Sequence, residues 1–297
     1  MTPRFSCADF TFPLLPHEKV LDLLRLLDFT AVDLGIFEDR SHHYPSEIAR
    51  DPRAAAVRLK DSLDRRDLVP ADVFVQTGAE PPVAAANDPD PELQARNAAT
   101  FQAMIEFTAQ LGATHLTGLP GVVHQGSDPA ADWDRAVEEA RRRVDASRER
   151  GLTYAVEPHI GSILPDPQTT LRFLEAVPGL TLTLDYGHFI FGGMDSASVH
   201  PLIPHASHFH ARGGAEGLLQ TPVEDNVIDF PAILRKLRDC GYSGYLCLEY
   251  VYVNWAGCNR TDNLSETLRL RKQLEEKRVS PRKVTNLSCL GLTWLVC

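Results

Sequence analysis

Short apolar and β-branched runs alternate along the chain with longer stretches whose apolar positions recur every three or four residues. The short runs predict strands over residues 5–8, 31–37, 71–77, 114–119, 153–157, 180–185, 207–211 and 245–251. Gly112, Gly151, Gly179 and Gly244 precede several of them and stop the preceding helix. The longer stretches predict helices over 16–27, 52–66, 91–111, 129–150, 167–176, 229–240 and 264–277. In the first, Val20, Leu23, Leu24 and Leu27 share one face, and Pro16 suits a first turn. In the sixth, Asp229 stands where a cap belongs, just ahead of Phe230 and Pro231.

Strand–helix alternation over the whole length predicts a parallel sheet, and eight units predict a single α/β domain closed as a (β/α)8 TIM barrel. An open doubly wound sheet would announce a Gly-rich phosphate turn, and the chain carries neither GxGxxG nor a Walker pattern. The barrel is assigned to residues 1–278. Residues 279–297 form a C-terminal tail outside the pattern, with Arg282 and Lys283 ahead of an apolar end, and no role is assigned to it.

The 297 residues carry 30 Lys and Arg against 40 Asp and Glu, a net charge of −10. That balance disfavours nucleic acid and anionic membranes as partners. No apolar run reaches the ~20 residues of a membrane span, and the N-terminus lacks a secretory pattern. Six scattered cysteines without a CxxC pair fit a reducing cytoplasm.

In such a barrel the chemistry sits at the C-terminal strand ends. Strands five to eight end in Glu157-Pro158-His159, Asp185-Tyr186-Gly187-His188, His208-Phe209-His210-Ala211-Arg212 and Glu249-Tyr250. Carboxylates crowded into a barrel mouth repel one another and lose hydration, and a divalent cation offsets both costs. Three carboxylates and one imidazole make a hard, oxygen-rich set suited to Mn2+, Mg2+ or Co2+. Among weaker candidates, His159 shares the parity of Glu157, Arg212 lies two residues beyond His210 towards the mouth, and Gln76 ends strand three within reach of a hydroxyl. His208 reads as a hydrogen-bonded core histidine, His124 as a solvated loop histidine, and Arg141–Arg143 as a solvated helix face.

The segments VEPHIGS (156–162), LTLDYGHF (182–189), HFHARGG (208–214) and IDFPAILRKLRDCGYSGYLCLEY (228–250) resemble the xylose isomerase-like barrels, the sugar phosphate isomerase/epimerase group. The resemblance implies one divalent metal, Mn2+ in the first instance, held by Glu157, Asp185, His210 and Glu249, with His188 touching substrate or metal. It also implies that Glu157 and Glu249 form an acid/base pair acting on a keto sugar or polyol through a metal-stabilised enediolate. A lyase or dehydratase of the same fold is the alternative, with His188 or His159 as base. An endonuclease IV-like enzyme fits less well. It needs further metal histidines, whereas strand three ends in Gln76 and Thr77, and the loop expected over residues 213–226 contains no histidine. The implied partner is a small sugar, and a homo-oligomer or a partner subunit stays open.

Overall fold

The computed structural model of the chain describes residues 4–277, so the predicted tail at 279–297 lies outside the described residues. In chain order the structure runs through β1 (Arg4–Ala8), α1 (His17–Leu26), β2 (Ala31–Phe37), α2 (Pro45–Ile48), α3 (Pro52–Asp64), β3 (Val69–Gln76), α4 (Pro91–Leu111) and β4 (His115–Gly118). It continues through α5 (Pro129–Glu149), β5 (Thr153–Val156), α6 (Pro167–Ala176), β6 (Thr181–Asp185), α7 (Tyr186–Phe191), α8 (Ser196–Val199) and β7 (Ala206–Ala211). The last elements are β8 (Gly213–Ala215), β9 (Leu218–Thr221), α9 (Phe230–Asp239), β10 (Tyr245–Leu248) and α10 (Asn263–Lys277). Strands β1 to β7 and β10 close into a parallel barrel, with β10 between β7 and β1, while β8 and β9 form a separate antiparallel hairpin. The architecture is the single (β/α)8 TIM barrel that the alternation predicts.

The helix starts follow from a repeated local device. Asp51, Asp90, Asp128 and Asp166 each precede a proline, and each side chain accepts a backbone N–H of the first turn. The aspartate satisfies an orphan donor and the proline presets φ where no N–H is needed. Asp229 caps α9 in the same way through Ala232 N–H at 3.0 Å. The main apolar core lies between the strands and the surrounding helices, with Leu34, Ile36, Phe107, Phe173 and Phe209 fully buried. Inside the barrel the lower layers are polar. Asp72 and His115 are 2.7 Å apart, His115 Nε2 lies 2.7 Å from Ser207 Oγ, and Ser207 continues to Thr181 at 2.7 Å. Thr117 and Thr183 pair across the interior at 2.6 Å. These bonds satisfy polar groups where an ordinary barrel stacks branched apolar residues.

Three local readings are corrected. The hairpin β8–β9 lies in a segment expected to be loop, because its strands are too short to show alternation. Arg143, in the run expected to be solvated, is buried: its guanidinium bonds Glu139 at 2.8 Å and sits 4.4 Å over the Phe101 ring. His124 is held rather than solvated, with Nδ1 2.9 Å from Asp132.

Candidate active site at the barrel mouth

Glu157 follows β5 by one residue, Asp185 ends β6, His210 lies near the end of β7, and Glu249 follows β10 by one residue. Register explains their meeting: His210 pairs with Asp185 on one side and with Cys247 on the other. The glutamates are set by last sheet bonds, Glu157 N–H to Gly118 O at 3.0 Å and Glu249 N–H to Ala211 O at 3.1 Å. None of the four exceeds 4% exposure, so their charges meet with little water between them.

His210 Nδ1 is the meeting point, 2.6 Å from Glu157 Oε1 and 3.5 Å from Glu249 Oε2. Arg212 lies on the other side, where its guanidinium donates to Asp185 Oδ2 and lies 3.3 Å from Glu249 Oε2. The arginine expected to point towards the mouth is therefore an inward member of the cluster, 3% exposed. His188 accepts the Ile160 N–H on Nδ1 at 3.3 Å. Its Nε2 faces Asp185 Oδ2 at 3.6 Å and Glu157 Oε2 at 3.7 Å. Asp185 also caps α7, because its Oδ1 accepts Gly187 N–H at 2.7 Å, which fixes His188 one turn further on.

The electrostatics are unequal for the two glutamates. Burial would raise Glu157, but His210 and His188 outweigh it and hold its carboxyl well below the usual range. Burial pushes Glu249 up to about 7; Arg212 and His210 oppose this, and the carboxylates of Glu157 and Asp185 add to it. Burial would lower His210, yet Glu249 and Glu157 raise it well above the usual imidazole value.

His159 and Gln76 are placed together in a side pocket that also receives Thr77, Val83 and Leu119. His159 Nδ1–H donates to Ile160 O at 2.7 Å, and its buried Nε2 has no hydrogen-bond partner among the described residues. Burial, reinforced by the His188 charge, lowers His159 to about 4, so it is neutral at pH 7. Gln76 is already engaged, donating to Gly78 O at 3.0 Å and accepting from Arg40 at 3.2 Å. The sequence does not single out the buried acid beside the cluster, Asp33 of β2, whose Oδ2 accepts from His208 Nε2 and lies 3.5 Å from His210 Nε2. The only sequence signal was a lone carboxylate inside the apolar run AVDLGIF. His208 is the hydrogen-bonded core histidine expected of it.

The donor set fits a divalent cation. Ligand atoms of Glu157, His210 and Glu249 lie within 4.8 Å of one another, as do those of Glu157, Asp185 and His188. Glu249 Oε2 is buried without a hydrogen-bond partner, which leaves an oxygen free to ligate. A cation between the sets would share Asp185 and Glu249 with Arg212.

No curated protein matches the sequence. Among solved structures, an L-ribulose 3-epimerase superposes with a TM-score of 0.71 at 18% identity, covering 95% of this chain and 99% of its own. The probable 3-DHS dehydratase AsbF from Bacillus anthracis, involved in petrobactin synthesis, superposes with a TM-score of 0.66 at 14% identity, covering 91% and 98%. A xylose isomerase-like TIM barrel protein from Mycobacterium smegmatis, in complex with magnesium, gives a TM-score of 0.65 at 18% identity, covering 88% of each chain. At these identities the likeness is one of fold. A family signature described as xylose isomerase-like TIM barrel matches residues 21–274, most of the barrel, and the chain belongs to that family.

Proposed function

We propose that the protein is a divalent-cation-dependent isomerase or epimerase of a keto sugar, with Glu157, Asp185, His210 and Glu249 holding the cation. One observation carries this reading: two buried glutamates from strands on opposite sides of β7 converge on the same imidazole edge, at 2.6 and 3.5 Å. Such a pair can serve both faces of one carbon. One glutamate removes the proton next to the carbonyl, and the other returns a proton to the opposite face or to the neighbouring carbon. A bound cation would polarise the sugar carbonyl and steady the charge that develops beside it. His188 and the neutral His159 orient hydroxyls, and Arg212 keeps Asp185 and Glu249 apart and in place. The net charge of −10 supports a small substrate rather than nucleic acid.

The test is incubation of Mn2+-loaded protein in D2O with a panel of ketoses and 3-keto-glycosides, read by NMR. Deuterium entering a retained carbon skeleton supports the proposal, and loss of a group from the sugar replaces it with a lyase. Metal analysis after dialysis should show about one ion per chain in the wild type and loss in Asp185→Ala. Full retention in both Asp185→Ala and His210→Ala sinks the ligand set.

A further inference from the structure

We infer that Asp33, held in turn by His208, is the positioning residue that sets which ring nitrogen of His210 faces the cation. The inference rests on the cation-site reading above and extends it to residues outside the ligand set.

His210 presents two edges to two environments. Nδ1 faces Glu157 and Glu249, and Nε2 faces Asp33 Oδ2 at 3.5 Å. Imidazole ligates through the nitrogen that lacks a proton, and the hydrogen bond at the other nitrogen selects that tautomer. Glu157 alone, at 2.6 Å, would draw a proton to Nδ1; once a cation takes up the glutamate charges, the Asp33 carboxylate at the Nε2 edge favours Nε2–H and leaves the Nδ1 lone pair for the cation. Asp33 is placed for this by the fold. The register of β2 against β3 shifts between Val32 and Asp33, and the carboxylate comes to lie beneath His210. Asp33 and both histidines are at most 1% exposed, so bulk solvent does not reach the carboxylate. His208 donates to the same Oδ2 and anchors it, and its own ring lies edge-on to His210 at 5.5 Å between centroids. Buried His210 Nε2 and Asp33 Oδ1 have no hydrogen-bond partner among the described residues, and Asp33, with Oδ2 at 3.5 Å, is the carboxylate facing His210 Nε2.

The same corner has a rival use. Donor atoms of Asp33, His208, His210 and Cys247 also lie within 4.8 Å of one another, so a second ion is the competing explanation. Two measurements decide between them. Imidazole 15N shifts of the Mg2+-loaded protein report the His210 tautomer directly, and those of metal-free wild type and Asp33→Asn at alkaline pH report the share of it that Asp33 sets. Competition with a chelator gives the Mn2+ affinity and stoichiometry.

The expected result is an Nε2–H tautomer in the Mg2+-loaded wild type, one Mn2+ per chain, and a 10- to 100-fold weaker affinity in Asp33→Asn. His208→Gln keeps a donor to Asp33 and should lose less. An Nδ1–H tautomer in the Mg2+-loaded wild type overturns the inference, and that measurement needs no variant to fold. Unchanged affinity in a folded Asp33→Asn protein also overturns it, as does a second equivalent of Mn2+ that Cys247→Ser removes. If the wild type binds no cation, the cation-site reading fails instead; the Nε2–H fraction of the metal-free protein at alkaline pH should then still fall in Asp33→Asn, and an unchanged fraction overturns the inference.

Discussion

Replacing Glu157 or Glu249 with glutamine keeps an oxygen in place but removes the basic group, which separates holding a cation from moving a proton. If the two carboxylates transfer protons, Glu157→Gln and Glu249→Gln each lose roughly 10²-fold or more in turnover. Excess Mn2+ would not restore it. One of the variants should still exchange the substrate carbon proton with solvent, because each glutamate serves one face. Near-wild-type turnover of either variant at saturating Mn2+ rejects the base role for that residue and passes it to His188 or His159. At this scale the sequence reveals residue type and strand-end position, so the gathering of Glu157, Asp185, His210 and Glu249 at neighbouring strand ends was legible. The direction of Arg212 was not, because a guanidinium on a long chain turns to whichever carboxylates the fold supplies, here Asp185 and Glu249.

Among elements, the helix starts and the hairpin make opposite demands. Asp166 caps α6 by accepting Thr169 N–H and Thr169 O–H, each at 2.8 Å. Asp166→Ala should cost about 1 kcal/mol in urea unfolding and leave cation binding unchanged. The β8–β9 hairpin follows Arg212 directly, and Gly213 begins it. A Cβ on Gly213 would sit 2.6 Å from Thr221 O and 3.0 Å from the Tyr250 hydroxyl, so backbone must move. Gly213→Ala should cost about 1–3 kcal/mol and lower activity as well, because Arg212 moves with it. Gly217, at the hairpin turn with φ +69° and open space around it, gives the control. Gly217→Ala should cost about 1 kcal/mol from its left-handed backbone and spare activity. A Gly213→Ala protein as active and stable as wild type would show that the hairpin does not position Arg212.

For the molecule as a whole, acid sensitivity should come from buried neutral histidines as well as from carboxylates. His43 Nε2 lies 3.1 Å from His17 Nδ1, and His17 Nε2 is 3.0 Å from Asp9 Oδ2. Burial, with the His17 charge adding to it, lowers His43 to about 4, against opposition from Asp9. The unfolded chain binds that proton near pH 6.5 and the folded chain only near 4, so the unfolded state holds more protons in between. The contribution is complete above pH 6.5 and is lost as pH falls towards 4. Urea unfolding at pH 7 and pH 5 should differ by about 1–2 kcal/mol for such a histidine. His43→Leu should flatten the slope in that window, and an unchanged slope would remove His43 as its source. Among the described residues no helix is long and apolar enough to cross a membrane.

The chain by itself determined the eightfold alternation, the helix starts at Asp-Pro pairs and the four strand-end side chains, because periodicity and capping are decided within a few residues. Only the closed barrel decided which of those side chains meet. Asp33 reaches His208 across 175 residues of sequence, and it does so through the strand order and a register shift that no local pattern encodes. Arg143 lies in a run of charge that reads as solvated, and it is buried because Glu139, Tyr154 and the Phe101 ring happen to converge on it. Local sequence specifies the face a residue takes on its own element. The neighbour on that face is set by closure, since eight strands from distant parts of the chain must share one interior.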